Sequence, residues 1–235
     1  MKDKIGELEN NLDLHFNNKD LLLQALCHRS YLNENHDFYL GHNERLEFLG
    51  DAVMELIVTE YLFLNYPDKS EGELTTWRAA LVNTKVIGKA AKEIGLYDYI
   101  LLSKGESRET GKSRLCIMAD TFEALIGAVY LDLGYERSKK FIEDNLIKEL
   151  PRIIELELYR DPKSVLQEEM QKENGVTPEY EVISETGPDH KKKFKVGVLC
   201  GKDVVGEGEG YSKKNAEEKA AKAALLKKGW LKNNN

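Results

Sequence analysis

Two groups of acidic residues carry the chemical potential of this chain. The first lies in Asn43-Glu44-Arg45-Leu46-Glu47-Phe48-Leu49-Gly50-Asp51-Ala52-Val53, with acids at 44, 47 and 51 and apolar residues at 46, 49, 53 and 56. On a helix, at about 100° per residue, the three carboxylates share an arc of roughly 60° and the apolar residues centre on the opposite side. No basic residue stands four positions from any of these acids, so like charges repel along the stripe without local relief. A solvated face and a divalent-cation site both fit this stretch taken alone. The second group is Asp120 and Glu123, on a predicted helix whose other side carries Phe122, Leu125 and Val129, with Gly127 on the acid side. Unpaired carboxylates on so apolar a helix are costly to bury, and a bound cation would account for them.

Together Glu47, Asp51, Asp120 and Glu123 form an all-oxygen donor set. Oxygen donors without His or Cys suit Mg²⁺ or Mn²⁺ and not zinc. An ion held there could acidify water and neutralise charge on a phosphate, which points to phosphodiester hydrolysis. Glu44 sits near the helix start, and Glu71 at the first position of the next helix, where the helix dipole alone explains an acid. Phe48 projects beside the acid face, about 120° or more from Leu46 and Val53. It is either covered by a neighbouring helix or inserted into a partner.

Two lysine clusters lie near the C-terminus, Gly187-Pro188-Asp189-His190-Lys191-Lys192-Lys193-Phe194 and Ser212-Lys213-Lys214-Asn215-Ala216. The second opens a helix, where lysines and the helix N-terminus both attract phosphate, so the pair reads as a phosphate-tracking surface.

The elements that must position these residues fall into two classes. Up to Tyr159 the chain reads as nearly all helix: Leu21–Leu26, Asn43–Leu64, a helix opened by the capping box Ser70-Glu71-Gly72-Glu73, Ile117–Leu131 and Arg137–Tyr159. A charged loop is expected over Ser103–Ser113. Asp161-Pro162 caps a new helix, Lys163–Glu173. Beyond it the period changes to two, with three strands around Tyr180–Val182, Phe194–Cys200 and Val204–Gly210, turns at Gly187-Pro188 and Gly201-Lys202, and a final Ala/Lys helix capped by Ser212. The fold class is an all-α domain followed by an α-β-β-β-α (α+β) domain. The expected boundaries are 1–158 for the first, 159–161 for a linker, 162–231 for the second and 232–235 for a disordered tail.

Composition agrees with two modules. Residues 162–235 hold 14 Lys, no Arg and 12 acids, a net of +2, whereas 1–161 hold 20 basic and 29 acidic residues, a net of −9. The start has no apolar signal segment, and the run Leu56–Leu64 is short and interrupted by Glu60, so no membrane span is expected. Cys27, Cys116 and Cys200 lie far apart without CxxC spacing and read as buried thiols in a reducing, cytoplasmic compartment.

The chain resembles bacterial ribonuclease III over nearly its whole length. Asn43–Asp51 matches the signature motif, and Glu71-Gly72 and Ala119–Gly127 match the other acidic motifs. His28-Arg29-Ser30 matches a further segment, with Cys27 where Thr is common. The back half resembles a double-stranded-RNA-binding domain. The resemblance implies a Mg²⁺-dependent endoribonuclease (Mn²⁺ substituting) that cuts double-stranded RNA to 5′-phosphate and 3′-hydroxyl ends with short 3′ overhangs. It further implies roles in ribosomal RNA precursor and messenger RNA processing. Glu47, Asp51, Asp120 and Glu123 would hold the metal, with Asp51 and Glu123 the least replaceable. Glu44 and Glu71 would lie along the RNA track. The resemblance also implies a homodimer in which the signature helices meet and Phe48 contacts the partner. Gln167, Glu168, Gln171, Asp189 and His190 would face minor grooves, and Lys213 and Lys214 would reach phosphates. The rival readings are a non-cleaving structured-RNA-binding protein and, more weakly, a small-molecule phosphohydrolase built on His36-Asp37.

Overall fold

A computed structural model of the chain describes residues 2–188, 191–201 and 203–231. The chain divides between Ile154 and Glu155 into two compact units. The first is helical, with α1 Lys2–Leu12, α2 Lys19–Ala25, α3 Arg29–Leu32, α4 Glu44–Asn65, α5 Glu71–Leu81, α6 Thr84–Glu93, α7 Gly111–Asn145 and α8 Leu150–Glu155. Among the described residues no helix is long and apolar enough to cross a membrane.

Helix ends follow local chemistry. Asn18 caps α2 and Asn83 caps α6 through side-chain oxygens that accept backbone N–H groups. Ser70 and Glu73 close a reciprocal capping box at α5, as the sequence predicts. The expected break between Leu131 and Arg137 is present as a kink at Gly134, whose φ of 80° and ψ of −176° are non-helical, and two helical segments of α7 meet there, the second running to Asn145. The same helix begins at Gly111, within the expected loop. The expected helix to Tyr159 instead ends as a 3-10 turn, Ile147–Glu149, followed by α8.

The core of this unit is where α4 crosses α7. Leu46, Val53, Met54, Ile57, Val58 and Leu62 of α4 are buried, as are Phe122, Leu125, Ile126 and Val129 of α7. Leu56, read from periodicity as core, is 58% exposed. Two glycines set the crossing. A Cβ on Gly50 would lie 1.7 Å from the Glu123 carbonyl oxygen, and one on Gly127 would lie 2.2 Å from that of Leu46. The two backbones therefore touch, which no pair of ordinary side chains would allow.

The second unit contains α9 Pro162–Asn174, β1 Glu179–Thr186, β2 Lys193–Cys200, β3 Asp203–Gly210 and α10 Lys213–Lys227. Asp161 caps α9 with Pro162 at its first position. The strands form an antiparallel sheet in the order β1-β2-β3. Val165, Leu166 and Met170 of α9, Val198 of β2, and Ala220, Ala221, Ala224 and Leu225 of α10 make one core. The alternating glycines of β3 let the alanine face of α10 lie directly on the strand: a Cβ on Gly208 would be 2.3 Å from the Ala220 nitrogen. The expected tail, 232–235, lies outside the described residues.

Adding a methyl group distinguishes the crossing from ordinary helix surface. Gly50→Ala should lower the unfolding free energy by about 3 kcal/mol or more, since the obstacle is backbone that cannot swing aside. Gly72→Ala on α5, where a Cβ meets nothing, should raise it by about 0.5 kcal/mol through helix propensity. Urea denaturation of the two variants beside the parent measures both, and equal effects would refute the crossing as the constraint.

Candidate active site

The crossing brings the two acid groups together. Glu47 and Asp51 lie on α4 three positions before and one after Gly50, on the same side of it, and Asp120 and Glu123 lie on α7 seven and four positions before Gly127. Glu47, Asp120 and Glu123 are half-buried and Asp51 is exposed. Among the described residues none of the four has an ion-pair or hydrogen-bond partner, so their charge is not compensated within the unit.

Their protonation reflects that. Burial, then the charges of Asp120, Glu44 and Asp51, push the Glu47 carboxyl up to about 7. Burial, then Asp51, Asp120 and Glu47, push Glu123 up to about 8. Burial also raises Asp120, and His28 opposes the rise. The four side chains thus form one electrostatic cluster. As they stand, however, no three His, Cys, Asp or Glu side chains among the described residues are close enough to hold a metal ion between them. Like charges explain the spread. At an effective dielectric of about 20, two carboxylates 4 Å apart repel by about 4 kcal/mol, which a proton on one of them or a cation between them relieves. All-oxygen donors with no competing cation fit a hard divalent ion.

The chain that precedes α4 braces this site. Asn43 is buried and does not cap α4 with its side chain. Its side-chain amide donates to the Ala25 carbonyl (3.3 Å) and its backbone N–H to that of Cys27 (2.8 Å). Cys27 in turn bridges to Leu101. The His28 ring caps α3 and sits 2.8 Å from the Ser30 hydroxyl, which accepts the Ser103 N–H at 3.1 Å. Burial pulls the His28 pKa down. Sequence reasoning found His28-Arg29-Ser30 only as a family segment, and the bracing role of Asn43 not at all. A buried asparagine one position before an acid-rich helix reads as a cap, and nothing in the spacing reveals the longer-range bonds.

The remaining predicted residues fall outside the four-carboxylate cluster. Glu44 is exposed at the first turn of α4, with the Arg29 guanidinium at 3.4 Å and the His42 ring at 3.8 Å. Glu71, exposed at the start of α5, accepts a hydrogen bond from the Thr75 hydroxyl (3.0 Å). It lines a groove of about 730 Å³ together with Phe63, Leu64, Tyr66, Leu74 and Arg78. Phe48 is 81% exposed, so no neighbouring helix of the unit covers it; Phe63 and Leu64 farther along α4 are exposed too. His36 and Asp37 belong to no metal-ligand group among the described residues.

In the second unit Gln167, Glu168 and Gln171 are exposed on α9, and Glu168 is paired with Arg160. Lys213 and Lys214 are exposed at the start of α10, which Ser212 caps. Lys213 lies 3.5 Å from Glu185 and over the Phe194 ring. Asp189 and His190 lie outside the described residues.

Comparison with known proteins gives this arrangement a lineage. A ribonuclease-III-like family model matches residues 18–150, and a double-stranded RNA binding motif matches residues 162–228. The chain is 45% identical to ribonuclease 3 of Clostridium perfringens over 99% of its own length and 98% of that protein's. It is 42% identical to ribonuclease 3 of Borreliella burgdorferi over 95% and 91%. Among solved structures, it matches the nuclease domain of ribonuclease III from Campylobacter jejuni, studied for flexibility in a region involved in dimer formation. That match has a TM-score of 0.56 and 42% identity, and covers 63% of this chain and 99% of that one.

The raised carboxyls fix the sign of a pH effect. Glu47 and Glu123 have folded-state values near 7 and 8, above their ordinary 4.5. The folded chain therefore binds more protons than the unfolded one between these values. In chelator, stability should be greatest below about pH 4.5 as far as these groups are concerned, and should fall as pH rises toward about 8. Thermal denaturation from pH 5 to 8, with the parent and Glu123→Gln compared, should show a shallower fall in the variant. Added Mg²⁺ should raise the melting temperature more at pH 8 than at pH 5, because ligand carboxylates must be deprotonated.

Proposed function

The chain belongs to the ribonuclease III family of double-strand-specific endoribonucleases, and on that premise we propose that Glu47, Asp51, Asp120 and Glu123 form the Mg²⁺-binding centre at which it hydrolyses RNA phosphodiesters. The observation that carries this reading is the uncompensated acid cluster at the α4–α7 crossing. Ordinary surface acids would have basic neighbours, and ordinary buried acids would have been replaced. A bound divalent ion (Mg²⁺, with Mn²⁺ substituting) supplies positive charge to a phosphate oxygen and acidifies water.

The chain's own residues do the rest. Asp51 and Glu123 contribute full negative charge once Glu123 gives up its proton, and the apolar flank of α7 holds Glu123 at low water access. Products carry 5′-phosphate and 3′-hydroxyl ends. Glu44 and Glu71 line the RNA track beside the centre. In the second unit, exposed Gln167, Glu168 and Gln171 face minor grooves, a role that Asp189 and His190 share, while Lys213 and Lys214 reach phosphates across the major groove. Recognition is then of A-form shape, and it weakens with salt. The substrates are structured precursors of ribosomal RNA and messenger RNA in the cytoplasm.

Two such centres act together in a homodimer. The exposed phenyl ring of Phe48 beside the acid face supports this, because a large aromatic so open to water gains by burial against a second copy.

Incubation of long duplex RNA should give cleavage with Mg²⁺ and none in chelator. Glu123→Gln should reduce turnover by about a thousandfold, the scale of losing an electrostatic group essential to the transition state, while duplex binding persists. Cutting that survives chelator, or an undiminished variant, sinks the mechanism. Sedimentation should find a dimer, with Phe48→Ala dissociating about tenfold or more readily, as for a central aromatic anchor. A stable, active monomer would refute the assembly.

A further inference from the structure

The acid cluster poses a problem for its substrate: a polyanion must lie against a face that is itself negative. His28, at the margin of that face, feels three carboxylates, Glu106, Asp120 and Glu44, and one cation, Arg29. Arg29 has a side chain 71% exposed, and its only ion pair among the described residues is with Glu44 at 3.4 Å. A contact so long and so open to water holds weakly, and a guanidinium carries five donors of which Glu44 engages few.

The backbone under Arg29, by contrast, is fixed on both sides. On one side His28 caps α3 and Cys27 is tied to Asn43 and Leu101; on the other the Ser30 hydroxyl accepts the Ser103 N–H. The structure therefore presents a loosely occupied guanidinium from a braced platform at the edge of the acid cluster. A phosphate matches such a fork, through two parallel charge-assisted bonds.

Resting on the proposed function, we propose that Arg29 exchanges Glu44 for a backbone phosphate of the RNA strand entering the acid cluster, and so holds that strand in place for cleavage. Glu44 keeps the guanidinium extended over the site until the phosphate arrives.

The test compares the full-length chain with Arg29→Ala and Arg29→Lys on duplex RNA in Mg²⁺, at several KCl concentrations. Arg29→Ala should raise KM about tenfold, change kcat little, and make the plot of log(kcat/KM) against log salt shallower by about 0.9, the share of one phosphate contact. Arg29→Lys should restore most of the slope, because a point charge still releases a counterion. A salt slope unchanged in Arg29→Ala overturns the proposal. So does an Arg29→Lys variant as impaired as Arg29→Ala with an equally lowered melting temperature, since the residue would then only support the fold. Binding of the same duplex in Mg²⁺ by Glu123→Gln, with and without Arg29→Ala, reads the slope without cleavage. If the parent chain does not cut duplex RNA the proposed function falls, and this binding arm still decides Arg29.

Discussion

Everything in the helical unit hangs on the absence of two side chains. Where α4 and α7 cross, a Cβ on either Gly50 or Gly127 would fall inside the van der Waals envelope of the opposite backbone. Contact at this range fixes the rotation of each helix about its axis as well as the distance between them. The rotation that puts Leu46, Val53, Ile57 and Val58 inward also brings Glu47 and Asp51 within electrostatic reach of Asp120 and Glu123. Core and site are consequently one solution to one packing problem. The acids could not be moved apart without opening the core, and the core tolerates their mutual repulsion because its apolar contacts outweigh it.

Much of this was legible in the sequence, and the failures have physical causes. The carboxylate stripe and the Asp120–Glu123 pair were readable because like charges at helical spacing are unusual and because α7 is so apolar around them. Gly127 was recognisable as room for close approach; Gly50 was not, because a helix with strong apolar periodicity gives no sign of which small residue meets a partner. Leu56 shows the limit of periodicity, which gives the direction of a side chain and not whether anything lies there. The break expected between Leu131 and Arg137 falls at Gly134, where the backbone leaves helical geometry before a second segment continues to Asn145. Helices α1 and α6 went unread, α6 because its Asn83 cap precedes a polar, lysine-bearing stretch. The placement of Asn43 and the His28–Ser30 turn depends on bonds to residues 25, 27 and 103. Such bonds leave no local pattern.

The RNA-binding unit was legible for a different reason. Its β3 glycines and α10 alanines are complementary compositions, each meaningful only beside the other, and the change from period two to an Ala/Lys helix announces both. What composition does not show is that the polar residues on its exposed faces already have companions. Glu168 is held by Arg160, and Lys213 shares Glu185 and the Phe194 ring. An RNA contact proposed at these positions would be an exchange of partners, with part of the gain from each phosphate or hydroxyl contact offset by the internal contact it replaces.

Gly134 carries a further consequence, for descent more than for mechanism. A Cβ there would meet nothing, yet its backbone lies in a region that only glycine enters without strain. Position 50 and position 134 should therefore look equally intolerant of change across a lineage of such chains, the first because the neighbouring space is full and the second because the space is empty but the torsion is forbidden. Invariance at the two would record different histories, and only the first would speak of catalysis.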